Sequence, residues 1–404
     1  MQAETTSGIG ERIRALCAIG PRGSATPAEV RAADQIVSWM RELGAQDVAR
    51  EDYRFQRSAA SRYLLHYALL LAGSLLGLRW PAAGLVVSLA TLASFYGELS
   101  FRFRTLADAL LPRLPGANAH GRIPPRAGGP ARRTVVLIAH HDTQKAGLLF
   151  HHKVQRAFVR LARRPEEENQ SPFGLSWWMA VLQTALLGLF TAGIAWPVPR
   201  LLLVAPAIAA AGGALVMIQW MASPHVLGAN DNASGVALIL EVGARLAKEP
   251  LERTEVRLVS AGCEESGLGG SRAFFARHAR VLDPRTTLVV AVDTIAGGQV
   301  RYTTDEHMMG VTRSSPELIG HMEALARSPE HAHVRPFSLG LFSDARSAMV
   351  RGYGAMMITA WDLEWVIRNY HQPTDDLGHL DLVSADRTLA VIMALLARID
   401  DSGA

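Results

Sequence analysis

Residues 133–143, RTVVLIAHHDT, begin as an unbroken apolar run and end on three side chains that exchange protons or bind metals. A strand with one wet face alternates apolar and polar positions. One without alternation is covered on both faces, as in parallel sheets. Residues 286–295 (TTLVVAVDTI) and 353–360 (YGAMMITA) repeat the pattern, and 255–261 and 48–55 read as further strands. Between them lie helical segments. Thr26-Pro27-Ala28-Glu29 is a capping box with proline at the first helical position, opening a helix that ends near Gly44. Residues 235–247 (GVALILEVGARLA) have helical periodicity, and helices are also predicted over 271–281 and 384–400. Strands alternating with helices predict an α/β fold, a mostly parallel sheet flanked by helices.

The remaining composition does not suit an ordinary soluble enzyme. The chain has 404 residues, of which 49% are hydrophobic and 19% charged, with mean hydropathy +0.13; about 25% charged is usual. That much apolar surface excludes disorder. Two cysteines, Cys17 and Cys263, exclude a disulfide framework and a cysteine-built zinc ribbon. A net charge of +4 gives no reason to expect nucleic acid. The excess apolarity sits in two blocks, 63–97 and 175–221, each broken once, by Arg79-Trp80-Pro81 and by Trp196-Pro197-Val198-Pro199-Arg200. Each block reads as a helical hairpin. Helices of about 20 residues in the second block suffice to cross a bilayer, and those of about 16 in the first are marginal. Four membrane helices are therefore expected, rather than buried core hairpins or a dimer interface of a soluble protein.

The expected organisation is catalytic domain over 1–60, 100–172 and 223–404, interrupted by membrane hairpins at 61–99 and 173–222. The opening MQAETTSGIGERIRAL lacks an apolar stretch, so no secretory signal peptide is expected. Arg50, Arg54, Arg57, Arg62, Arg102, Arg104, Arg113, Arg160, Arg163 and Arg164 flank the outer ends of the hairpins, whereas the turns hold only Arg79 and Arg200. Positive flanks stay inside, which predicts a multi-pass protein of the cell membrane with a cytoplasmic catalytic domain.

Chemistry in such sheets collects beyond the carboxyl ends of the strands. His140, His141 and Asp142 end the first run quoted. Asp231 and Asn232 lie in GANDNASG before a helix, and Glu264 and Glu265 in AGCEESGLGGS after a strand. Asp293 closes TTLVVAVD, and His371 lies in NYHQPTDD. Singly, these are caps and solvated loop residues. Jointly, carboxylates that converge repel one another unless a cation lies between them. Nitrogen and oxygen donors without sulfur suit zinc or a similar divalent ion. Two ions sharing a carboxylate would polarise a scissile carbonyl and activate water. Adjacent glutamates diverge, so one can bind metal while the other takes a proton. Asp142, two residues beyond His140 on an extended chain, can accept the spare imidazole N–H.

The motifs AHHDT, GANDNASGVA, GCEESGLGGSRAF, VDTIAGG and YHQPTDD, in this order, resemble the M28 zinc aminopeptidases, as does the opening IGPRGSATPAEVRAADQIVSWMRELGA. The resemblance implies a zinc-exopeptidase-like fold with two zinc ions, or another divalent metal in their place. It implies that Asp231 bridges them, that His140 and Asp293 complete one site, and that Glu265 and His371 complete the other. Glu264 would be the general base, Asp142 the orienter of His140, and Tyr370 an oxyanion stabiliser. Departures from the family pattern are Cys263 before the glutamate pair, and SDARSAMV (Ser343, Asp344, Ala345) where an SDH-type segment is usual. His141 is expected to be a bystander. His151, His152, His225, His331 and His333 fit no ligand motif. The expectation is a membrane-bound zinc metallopeptidase, an aminopeptidase acting on a peptide substrate, with its amine-gripping group, substrate-binding residues and oligomeric state left open. The alternatives are a glutaminyl-cyclase-like zinc acyltransferase and a non-catalytic membrane receptor or scaffold on the same fold.

Overall fold

The computed structural model describes residues 8–162, 173–194, 200–362 and 368–402. Arg163, Arg164 and the Trp196–Pro199 turn lie outside them. The chain opens with α1 (Ile9–Ala18), α2 (Pro27–Glu42) and β1 (Gln46–Phe55). Thr26 caps α2 by accepting the N–H of Glu29, with Pro27 in the first turn. The first apolar pair follows as α3 (Ala59–Arg79) and α4 (Pro81–Ser100), then α5 (Leu106–Leu110), β2 (Leu114–Ile123) and β3 (Arg133–His140). Next come α6 (His152–Ala162), the second apolar pair α7 (Phe173–Thr191) and α8 (Val204–Ala222), and α9 (Gly235–Lys248). The rest is β4 (Thr254–Ala261), α10 (Gly269–Arg277), β5 (Thr287–Val292), β6 (Val300–Glu306), β7 (Thr312–Arg313), α11 (Pro316–Ala326), β8 (Arg335–Leu339), α12 (Asp344–Met349), β9 (Gly354–Ala360) and α13 (Leu382–Ser402).

The strands form one sheet in the order β1-β2-β4-β3-β5-β9-β6-β7, with β8 also on β6. Its centre, β4-β3-β5-β9, is parallel. Its flanks are not: β2 runs antiparallel to both β1 and β4, and β6 antiparallel to β9 and β7. The expected mostly parallel sheet is thus a mixed sheet. The continuous apolar runs mark only its doubly covered centre, and the flanks are built from segments without such runs. Alternate side chains of the centre serve opposite layers, as the pleat requires. Val135, Leu137 and Val290 belong to the core that includes residues of α1, α2, α9, α11 and α13, whereas Val136, Ile138 and Val289 belong to the one that includes residues of α10 and α12.

Both apolar pairs leave the sheet at the same edge. β1 is parallel to β4, because both oppose β2, so α3 departs from the carboxyl end of the strands. The second pair follows the carboxyl end of β3. The four helices pack together, α3 on α4 and α8, and α4 on α7. A Cβ on Gly84 would lie 2.6 Å from the Gly73 carbonyl oxygen and 2.8 Å from the Gly77 Cα. Such backbone contact through small residues is how helices associate in lipid. The bundle buries several polar side chains among its apolar ones and turns large apolar side chains outward. Ser88, Thr91, Gln183 and Thr184 are buried, while Leu75, Val86, Leu182, Leu189, Ile208 and Leu215 are exposed.

By length and apolarity three helices, Pro81–Ser100, Gly174–Thr191 and Arg200–Ala222, qualify as spans among the described residues. The expectation of four is corrected at α3. That helix carries Arg62 and His66 in its first two turns, both buried. Arg62 forms ion pairs with Glu98 of α4 and Asp108 of α5.

Candidate metal centre

Four strand ends and one kinked turn build the site. β3 delivers His140 on its last residue, and β5 ends one residue before Asp293. Past β4, Cys263 takes a left-handed backbone (φ 52°) and leads into Glu264 and Glu265. Past β9, His371 also has a left-handed backbone (φ 52°), uncommon for a non-glycine residue. Asp231 lies in the turn Ala229–Ser234, where its φ/ψ of −111°/90° breaks the helical path before α9. That turn is clamped from two sides. Asp375 accepts the N–H groups of Asn230 (2.7 Å) and Asp231 (3.1 Å). Asn232 donates to the Val292 carbonyl (2.8 Å) and accepts from the Gly235 N–H (2.9 Å).

The predicted donors converge. His140 Nε2 lies 3.3 Å from Asp231 Oδ1 and 3.7 Å from Asp293 Oδ1. His371 Nε2 lies 3.1 Å from Asp231 Oδ2 and 3.3 Å from Glu265 Oε1. Ligand atoms of His140, Asp231 and Glu265 fall within 4.8 Å of one another. Asp231 therefore faces one imidazole with each carboxylate oxygen. Buried atoms of this cluster, Asp231 Oδ2, Glu265 Oε1, Asp293 Oδ1 and His371 Nε2, make no hydrogen bond among the described residues. Buried polar atoms left unbonded are costly, and a nitrogen–oxygen set of this kind fits zinc.

The electrostatics show carboxylates crowded out of water. Burial raises Glu265 to about 7 against the pull of His371, and raises Glu264 well above the ordinary range against His140. For His371 burial opposes the charge, but Glu265 and Asp231 outweigh it and lift the imidazole to about 9. Asp344, at the start of α12, is buried with one oxygen unbonded, and burial raises it to about 7.

Asp142 is wholly buried. Its carboxylate accepts the N–H groups of Glu264 (3.0 Å) and Glu265 (3.2 Å) and the Ser24 hydroxyl (2.6 Å). The closest partner of His140 Nδ1 is the Asp142 main-chain oxygen at 3.2 Å, with the side chain at 3.5 Å. Gln144 donates to Glu265 Oε2 (3.0 Å). The His371 ring lies between Tyr370, stacked with centroids 3.7 Å apart, and Phe150, edge-on at 4.3 Å.

His141 turns away, its Nδ1 2.9 Å from Ser260 Oγ, and burial lowers it to about 3. Cys263 is buried, with Sγ 3.4 Å from Glu29. A second carboxylate–imidazole group, which no sequence motif marks, joins Glu51 with His120 and His278. Arg277 pairs with the same carboxylate at 3.3 Å, which balances its charge without an ion. The supports Ser24, Gln144 and Asp375 were also missed, although Ser24 and Asp375 stand inside quoted motifs.

Residues 214–396 match the profile described as peptidase family M28, which bears out the resemblance carried by the motifs. Asp231, Glu264, Glu265, Asp293 and His371 fall within the match, and His140 and Asp142 precede it. No curated protein matches the chain. Among solved structures, a zinc aminopeptidase of Bacillus subtilis is 15% identical, covering 96% of this chain and 93% of its own, with a TM-score of 0.56. A glutaminyl cyclase of Tannerella forsythia is 12% identical, covering 96% and 97%, with a TM-score of 0.57. A Zn-dependent exopeptidase of Parabacteroides distasonis is 12% identical, covering 96% and 95%, with a TM-score of 0.55. At such identities the likeness is one of fold.

Proposed function

Starting from the match of residues 214–396 to peptidase family M28, we propose that this chain is a membrane-bound zinc aminopeptidase. The observation that carries this reading is Asp231, whose two oxygens each face a different histidine. His140 and Asp293 would hold one zinc ion and Glu265 and His371 a second, with Asp231 shared. When bound, the ions would polarise the scissile carbonyl and lower the pKa of a water. Glu264 takes the proton of the attacking water on its carboxylate and returns it to the departing amine. Asp142 positions this base through the Glu264 main chain and keeps the Glu265 carboxylate aimed at the cluster. Tyr370 holds the plane of the His371 ring and offers its hydroxyl to the developing oxyanion. Three bilayer-length helices and the large apolar side chains exposed on the bundle support membrane insertion, and the flanking arginines favour a cytoplasmic catalytic domain.

The test uses purified full-length protein, its metal content, and a panel of aminoacyl reporter amides. About two metals per chain are expected, with activity lost to a chelator. Glu264→Gln should retain the metals and lose turnover by about 10²–10⁴-fold; a fully active variant removes the base assignment. Metal-replete protein inert on every free-amine peptide would favour the receptor reading. Peptides with N-terminal glutamine that cyclise with release of ammonia, rather than being cut, would favour the glutaminyl-cyclase-like reading, which shares the fold.

A further inference from the structure

A cavity of about 250 Å³ lies between α3, α7 and α8, with Tyr67, Leu70, Leu149, Met179, Ala210 and Met217 on its walls. It exists because the facing side of α8 is small: a Cβ on Gly213 would lie 2.4 Å from the Tyr67 ring. Polar groups on the wall are already engaged. The Tyr67 hydroxyl is 2.5 Å from Ser176 Oγ, and Gln183 donates to the Leu70 carbonyl (2.9 Å) and Ser88 Oγ (2.7 Å). On the rim, Leu175 is 66% exposed, so the cavity opens on the apolar outer face of the bundle.

The cavity also adjoins the metal centre. Leu149 forms part of its wall, and the next residue, Phe150, sets its ring 4.3 Å from His371 and 5.0 Å from Trp220 of α8. Gln372, next to His371, donates to the Phe150 carbonyl (2.5 Å). Two consecutive residues therefore separate an apolar cavity from a proposed zinc ligand.

We propose that this cavity receives a single unbranched alkyl chain carried by the substrate, so that the enzyme acts on lipid-like peptides or amides reaching it from the bilayer. The inference rests on the peptidase reading of the adjoining site. The occupant follows from size and chemistry. An apolar cavity of about 150 Å³ already admits benzene, whereas a helix, about 10–12 Å across with its side chains, does not fit. The polar side chains on the wall, Tyr67, Ser176 and Gln183, are hydrogen-bonded within the protein, and the rest of the lining is apolar. In the reaction, water adds across the amide C–N bond, the acyl carbon takes oxygen, and the alkyl-bearing nitrogen leaves as an amine with the proton from Glu264.

The test uses full-length protein in lipid nanodiscs with leucine N-methyl, N-octyl and N-dodecyl amides. Partition into the bilayer favours long chains for any membrane enzyme, so the comparison is with cavity-filling variants, Ala210→Phe and, should that fold poorly, Val216→Trp. The dodecyl-to-methyl ratio of kcat/KM should be at least tenfold higher in wild type. Equal ratios in wild type and in a folded variant would overturn the proposal. A leucine alkyl amide with a terminal diazirine should label Leu149, Met179 or Met217 on illumination, and excess unlabelled dodecyl amide should suppress it. Labelling spread over Val86, Leu215 and Ile218, or equal labelling by a diazirine phospholipid that the amide does not displace, would assign the cavity to bulk lipid and overturn the proposal. Labelling needs no turnover, so cavity labelling in a protein that hydrolyses no amide would overturn the peptidase reading and leave alkyl binding standing.

Discussion

Asp375 shows how a residue outside the donor set can govern it. Its carboxylate accepts the main-chain N–H groups of Asn230 and Asp231, which holds the turn that aims Asp231 at both histidines. Asp375→Asn keeps the shape but supplies one acceptor where two donors point, so one N–H loses its partner. We expect zinc affinity to fall by about 10–100-fold, measured by competition with a chromogenic chelator; unchanged affinity would show that the turn holds its shape alone. The YHQPTDD motif places Asp375 near the site, but its role depends on main-chain groups some 145 residues away, which a linear motif does not disclose. Four of the five donors were legible because they lie at or beyond strand ends, and Asp231 because its GANDNASG segment precedes a helix; their supports were not. Glu306 carries a pH prediction. It is buried, with only Oε1 bonded, to Ser343 (2.6 Å), and burial raises it to about 7 from 4.5. A carboxyl that holds its proton more tightly when folded stabilises the fold fully below pH 4.5 and loses that contribution as pH rises through 7. The swing is about 3 kcal/mol. Glu306→Gln should therefore match wild type near pH 4.5 and exceed its Tm at pH 8. A variant less stable than wild type at pH 8 would show that the ionised carboxylate is favourably held.

Among the elements, the legible ones are those whose local pattern and final environment agree. β3, β5 and β9 are continuous apolar runs buried on both faces, and the sequence reading placed them within a few residues. β2 (LPGANAHGRI) holds a proline, two glycines and an asparagine, yet it lies between β1 and β4 with Ala117, Asn118 and Ala119 fully buried. Its strand character comes from pairing with its neighbours rather than from propensity. β6 (VRYTTDE) has β-favouring Val, Tyr and Thr but no continuous apolar run, and its buried Arg301 donates to the Trp361 carbonyl (3.0 Å). The hairpins were legible as apolar blocks, but the role of α3 was not. Its Arg62, His66, Gly73 and Gly77 make sense only with α4 alongside. Gly84 sits at that contact, and a side chain there meets main chain on Gly73 and Gly77, which cannot yield as a flexible side chain would. Gly84→Leu should destabilise the bundle by about 1–3 kcal/mol or more, read as a lower Tm in detergent. An unchanged Tm would mean that α3 and α4 do not approach this closely.

The whole molecule is one sheet with its metal-binding edge turned toward a helical bundle. Both apolar pairs leave from the carboxyl edge where the donors gather, so one side of the protein holds both its chemistry and its apolar surface. Helices α4, α7 and α8 run 19–20 residues, about 30 Å at 1.5 Å per residue, which matches a hydrocarbon core of about 30 Å; α3 does not qualify as a span on its own but packs along α4 and α8. If α3 is carried across beside them, so that the bundle forms two hairpins, Trp80 and Gly193 mark the far side, and Ser402 stays with the catalytic domain. All three positions lie at element ends, Trp80 is 57% exposed, and Gly193 and Ser402 are exposed as well. The native cysteines, Cys17 and Cys263, are both buried, so background reaction with a thiol reagent should be low. A membrane-impermeant maleimide should label Trp80→Cys and Gly193→Cys in intact cells, and Ser402→Cys only after permeabilisation. The inverse pattern would place the catalytic domain outside, against the arginine distribution. Labelling of all three in a fraction that sediments without membranes would instead mean that the apolar belt is covered by protein, as in the dimer reading.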